Sequence, residues 1–141
     1  MLLVEDNPVN QLIARRLLEK LGAQVAVAES GAAAIAQLAC ASFDLVFMDC
    51  QMPVMDGYEA TRHIRAGAAG PAAANIPIIA LTAHALHGHR NQCLAAGMND
   101  HLAKPIDPAA LRAMRDKFLS NRLAIDQAAR ASNRRSDASG S

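Results

Sequence analysis

Glu5 and Asp6, Asp49, Thr82 and Lys104 each follow a short apolar run: LLV, LVFM, IIAL and HLA respectively. Three carboxylates gathered in one crevice repel each other and raise one another's pKa. A hard divalent cation bound through oxygens, with several waters retained, is one arrangement that stabilises them, and that description fits Mg²⁺. The Lys104 ammonium suits a phosphoryl oxygen, and the Thr82 hydroxyl can donate to another. A carboxylate nucleophile, a metal, a cation and a hydroxyl together make a site for phosphoryl transfer. One aspartate after one strand is ordinarily a turn or cap residue, so the inference rests on the set.

These residues meet only if the runs that carry them are parallel neighbours. The pattern predicts strands over 1–5, 23–28, 44–49, 76–82 and 100–104, with Pro77 near a strand start where a missing donor is tolerable. Helices alternate with them. Asn7 and Pro8 open the first, with Leu12, Ile13, Arg16, Leu17 and Lys20 divided between apolar and charged faces, and Gly22 ends it. Ser30 caps GAAAIAQLAC; a third helix runs from Asp56 to about Ala66; a fourth, 88–97, ends at Gly97; Asp107 caps a fifth, 107–124. Residues 67–75, GAAGPAAAN, read as a small-residue loop longer than most. Near-continuous apolar strands joined by helices specify an α/β fold, a parallel sheet covered on both faces. With right-handed crossovers, a doubly wound five-stranded sheet in the order 2-1-3-4-5 is expected. Its switch point lies between strands 1 and 3, beside the polar residues above. The expected domain is 1–124, and 125–141, polar and small, is expected to be a disordered tail or linker.

The composition narrows the function. Fourteen basic and thirteen acidic residues give a net charge of +1, which argues against a dedicated nucleic-acid or anionic-membrane surface. At 3% aromatic there is no base-stacking platform, and 52% apolar residues make an aliphatic core. Cys40, Cys50 and Cys93 have no zinc-ligand spacing and read as reduced thiols of a cytoplasmic protein. No apolar run reaches membrane-spanning length, and the N-terminus lacks a signal peptide's basic region; any inner-membrane anchor of a parent protein lies outside this chain. His84, His87 and His89 crowd around Gly88 without convergent metal geometry. Met48 packs in its strand, and Met52 and Met55 fill the underside of the following loop. Cys50, beside Asp49, is either redox-sensitive or an inert small side chain.

The segments LLVEDNPVNQ, DLVFMDCQMPVMDG, LTA and LAKPID, in this order, resemble the receiver domain of two-component response regulators, over roughly residues 1–120. The resemblance implies the flavodoxin- and CheY-like fold, with Asp49 taking a phosphoryl group from a phosphohistidine on a histidine kinase or phosphotransfer partner. It implies Mg²⁺ held by Asp6, Asp49 and the Gln51 backbone carbonyl, with Glu5 acting through water. Thr82 and Lys104 would hold the phosphoryl oxygens, and Lys104–Pro105 would be a cis bond. Gln51 and His84 stand where the family tunes acyl-phosphate lifetime. His101 replaces the usual Tyr or Phe that rotates inward as Thr82 moves, and imidazole is smaller and ionisable.

Such a domain catalyses only its own phosphorylation and dephosphorylation; its parent could be a histidine kinase. A haloacid-dehalogenase-like phosphatase needs a second Asp where DCQ has Gln51. A flavin module needs a hydroxyl-rich loop where VEDNPVN stands, and a degenerate receiver scaffold would have lost site residues. The phrases EDNPVNQ and MDCQMPVMDG, and a strand beginning at residue 1, favour a receiver from a hybrid sensor histidine kinase in a phosphorelay, with a stand-alone regulator as the alternative. The segment beyond 120 is too short for a DNA-reading domain, so output is expected through protein contacts. Phosphorylation is expected to draw Thr82 and Lys104 inward and shift the face formed by the fourth helix, fifth strand and fifth helix.

Overall fold

The computed structural model describes residues 1–82, 87–104 and 106–119, with the backbone alone for 87–90. Strands β1 (Leu2–Val4), β2 (Ala26–Ala28), β3 (Val46–Asp49), β4 (Ile78–Thr82) and β5 (Asp100–Ala103) alternate with helices α1 (Pro8–Lys20), α2 (Gly31–Cys40), α3 (Gly57–Arg65), α4 (His87–Ala96) and α5 (108–119). The sheet is parallel throughout in the order β2-β1-β3-β4-β5, as expected. His84, Pro105 and the 125–141 tail lie outside the described residues, so the Lys104–Pro105 bond and the domain boundary do too.

Successive strand side chains point to opposite faces, and the buried residues divide accordingly. Leu2, Val4, Val46, Met48, Ile78 and Ala80 pack beneath α2, α3 and α4, against Leu38, Ile64 and Cys93 among others. Leu3, Phe47, Ile79, Leu81 and Leu102 pack beneath α1 and α5, against Ala14, Leu18 and Leu111. The helices change face between α1 and α2, which puts the crevice between β1 and β3.

Local chemistry sets the element ends. Asn7 Oδ1 accepts from the Val9 and Asn10 N–H groups, Ser30 Oγ from Ala33, and Asp56 Oδ1 from Glu59 at 2.8 Å. Gly22 and Gly97 end their helices at φ 86° and 101°. The strands are shorter than expected. Ala23 completes the α1 terminus, its N–H donating to the Leu18 carbonyl, and β2 begins only at Ala26. Pro77 has no N–H to give, and β4 begins after it at Ile78, whose N–H donates to Asn99 Oδ1.

Residues 66–75 form consecutive tight turns, with Ala69 and Ala73 buried. Arg65 holds them. Its guanidinium donates to the carbonyls of Gly97 and Ala74 and to Asn99 Oδ1 at 2.8, 2.9 and 2.9 Å, tying the end of α3 to the turn between α4 and β5. Burial lowers its pKa.

Candidate active site

The ends of β1, β3 and β4, and the residue just past β5, deliver the site. Glu5 follows β1, and its N–H donates to the Ala28 carbonyl, so the ladder runs on into this residue. Asp49 is the last residue of β3, opposite Leu81, and Thr82 the last of β4, opposite Ala103. Glu5 and Asp49 are only 2% and 3% exposed, and Thr82 is also buried. An apolar run buries a polar residue this deeply only when neighbours satisfy it.

Lys104 supplies that satisfaction. Its Nζ lies 2.9 Å from Glu5 Oε2 and 3.2 Å from Asp49 Oδ1. Burial pushes the ammonium's pKa down, but the hydrogen bond to Glu5 and the charges of Asp49 and Glu5 outweigh it, and the pKa is raised. Asp49 Oδ1 also accepts from the Gln51 N–H at 3.1 Å, and Glu5 Oε1 from the Asn7 N–H at 3.3 Å. The Gln11 side chain, which sequence reading passed over, donates to the Glu5 carbonyl at 2.6 Å and braces the turn into α1.

Glu5, Asp6 and Asp49 each bring a carboxylate oxygen to within 4.8 Å of the others. Asp6 is the least buried and stands at the mouth. All three donors are hard oxygens, the chemistry of Mg²⁺ rather than of a soft metal. Gln51 is exposed on the following loop. Gly57 closes that loop against Asp49 so tightly that a Cβ on it would lie 2.3 Å from the Asp49 carbonyl oxygen.

His101 lies in β5 beside Ala80. Its Nδ1 is buried without a hydrogen bond, 3.6 Å from Asp100 Oδ1. Asp56 is the α3 cap, as expected, and takes no part in the crevice. Cys50 turns away from the site. It neighbours the Tyr58 hydroxyl and the Cys93 thiol, and burial pushes its pKa up to about 12 despite Tyr58's hydrogen bond. A cleft of about 390 Å³ lies at the opposite end of the sheet between the α2 terminus and the 69–73 turns; its lining has no acid or base besides Cys40.

The family model for the response regulator receiver domain matches residues 1–116. The sensor protein GacS of Pseudomonas syringae pv. syringae is 47% identical over 110 residues, which are 78% of this chain and 12% of GacS. The receiver domain of sensor histidine kinase PA1611 from Pseudomonas aeruginosa PAO1, crystallised with a magnesium ion in its active-site cleft, is 46% identical with a TM-score of 0.76, over 84% of this chain and 95% of that one. The Ssk1 receiver domain, solved with the Saccharomyces cerevisiae histidine phosphotransfer protein Ypd1, is 33% identical with a TM-score of 0.74, over 83% of this chain and 86% of that one. The carboxylates and lysine at the strand ends, the sheet order and these likenesses agree, and the chain belongs to the response regulator receiver domain family.

Proposed function

We propose that this chain is the phosphoacceptor of a two-component phosphorelay, and that Asp49 takes the phosphoryl group. The observation that carries the reading is the buried Asp49 carboxylate held beside Lys104 Nζ, among carboxylates with metal-ligand spacing. A carboxylate oxygen of Asp49 attacks phosphorus, the P–N bond to the donor imidazole breaks, and an acyl phosphate and a neutral histidine remain. Lys104 neutralises charge on the phosphoryl oxygens, and Thr82, at the end of the neighbouring strand, donates its hydroxyl to one of them.

Asp6, Asp49 and the Gln51 carbonyl would hold Mg²⁺, with Glu5 reaching it through water. Bound there, the ion would supply charge neutralisation between carboxylate and phosphate oxygens. Phosphorylation replaces one carboxylate charge by nearly two and adds acceptor oxygens. Thr82 and Lys104 follow them, and β5, α4 and α5 shift their population toward a partner-binding state. His101 and His84 modulate that shift and the phosphate's lifetime.

The chain spans 12% of the length of GacS, and its place in a longer hybrid histidine kinase is part of the proposal, as are a histidine-phosphotransfer partner and a cytoplasmic setting. Among the described residues no helix is long and apolar enough to cross a membrane. Incubation with acetyl phosphate and Mg²⁺, followed by intact mass, tests the reading. One phosphoryl group should be gained, and the gain should vanish without Mg²⁺ or in Asp49→Asn. Labelling that persists in Asp49→Asn would overturn it.

A further inference from the structure

The turn between β1 and α1, residues 5–7, carries two of the three carboxylates of the crevice, and the donors around it are already engaged. Pro8 has no N–H to give. The Asn7 side chain takes the N–H groups of Val9 and Asn10, and the Asn7 carbonyl takes that of Gln11. The Asn7 N–H goes to Glu5 Oε1. The part-buried Glu5 carbonyl is left to the Gln11 side chain, whose Nε2 donates to it at 2.6 Å. Helical side chains lean toward the N-terminus, so a residue in the second turn of α1 reaches back over the first.

That bond fixes the plane of the Glu5–Asp6 peptide. Glu5 is also tied elsewhere: its N–H joins the ladder at Ala28, and its carboxylate meets Asn7 and Lys104. Asp6 lacks this support. Among the described residues no hydrogen bond or ion pair holds its carboxylate, yet one of its oxygens lies within 4.8 Å of those of Glu5 and Asp49. Its backbone therefore sets where the Asp6 carboxylate sits, and the carbonyl that orients this backbone is bonded to Gln11.

We propose that Gln11 is a positioning residue for the divalent cation: through the Glu5 carbonyl it holds Asp6 where the ion takes a carboxylate oxygen. The proposal rests on the metal reading of Glu5, Asp6 and Asp49. Gln11 bonds to none of the three carboxylates, so its contribution is directional. Mg²⁺ demands near-ideal octahedral geometry at short distances, whereas Ca²⁺ accepts a larger and less regular shell. Loosening Asp6 should therefore cost Mg²⁺ more than Ca²⁺.

Amide chemical-shift titration of the metal-free chain with MgCl₂ and with CaCl₂ reads both affinities without any phosphorylation. Gln11→Met keeps the side-chain length and removes the donor. Gln11→Glu removes the donor and adds a negative charge; Gln11→Lys keeps a donor and adds a positive one. An added charge acts alike on two divalent ions, so it cancels in the ratio of their affinities. Gln11→Met should lower the Mg²⁺ affinity about tenfold and the Ca²⁺ affinity much less. The Mg²⁺-to-Ca²⁺ ratio should fall in Gln11→Glu as well and be retained in Gln11→Lys. Equal weakening of both ions in Gln11→Met would overturn the proposal. So would a melting temperature that falls there while both affinities stay unchanged, the result expected of a helix brace alone. Absence of saturable Mg²⁺ binding by the unaltered chain would instead remove the metal reading, and this proposal with it.

Discussion

Asp49 and Cys50 are consecutive and almost equally buried, 3% and 4% exposed, yet their surroundings give them opposite chemistry. Alternation at the end of β3 sends them to different places. The Asp49 carboxylate meets an ammonium at 3.2 Å and a backbone N–H at 3.1 Å, the setting in which it is proposed to act as the nucleophile. The Cys50 thiol enters the layer beneath α3 and α4, where Tyr58 and Cys93 are its polar neighbours and burial keeps it protonated. Of the two readings open for Cys50, the inert small side chain fits this environment. Reactivity at this strand end follows from the partners supplied to each buried group; depth alone does not set it.

The contrast breaks most severely at Lys104. Lys104→Met leaves two buried carboxylates facing each other without a cation, and should cost about 3 kcal/mol of unfolding free energy in urea titration. Acetyl phosphate labelling should be lost with it. Adding Glu5→Gln should recover part of the stability and none of the labelling. Cys50→Val, one residue from the proposed phosphoacceptor, should leave labelling intact; a parallel loss there would erase the distinction.

Alkaline pH sharpens the other side. The Cys50 pKa is raised from 9.0 to about 12, so its stabilisation is complete below pH 9 and is lost as pH climbs through the folded value. Cys93, raised by burial, acts in the same direction. Lys104, also raised, keeps its full contribution up to about its ordinary 10.5 and loses it progressively above that. Unfolding free energy should fall by on the order of 2 kcal/mol from about pH 8 to about pH 11. The fall should be smaller in Cys50→Val, and an identical fall in both chains would count against the buried thiol as its source.

The smallest effect separates Asp49 from Asp56. Asp56→Ala removes a helix cap and should cost about 1 kcal/mol with full labelling retained. Impaired labelling at unchanged stability would reverse that assignment.

The division between these two aspartates was already legible in MDCQMPVMDG, because cap chemistry and strand ends are local signals. So were the caps at Asn7 and Ser30, the terminating glycines and the polar set at the strand ends. What escaped is long-range. Arg65 reads in sequence as a basic residue in a last helical turn, suited to the helix dipole, but its acceptors lie 9, 32 and 34 residues away. Tyr58 and Cys93 become neighbours of Cys50 only once α3 and α4 share one face of the sheet. Strand lengths were overread because apolar runs continue into caps and turns that make no ladder bonds, as at Ala23.

The most direct measurement is chemical mapping of the phosphorylated residue. The chain is labelled with acetyl phosphate and Mg²⁺, reduced with borohydride, which converts an acyl phosphate to an alcohol, and digested for peptide sequencing by mass spectrometry. The prediction is homoserine at position 49, with Asp6 and Asp56 unchanged. Reduction at Asp6 or Asp56, or phosphate surviving on a serine, threonine or histidine while Asp49 stays intact, would contradict it.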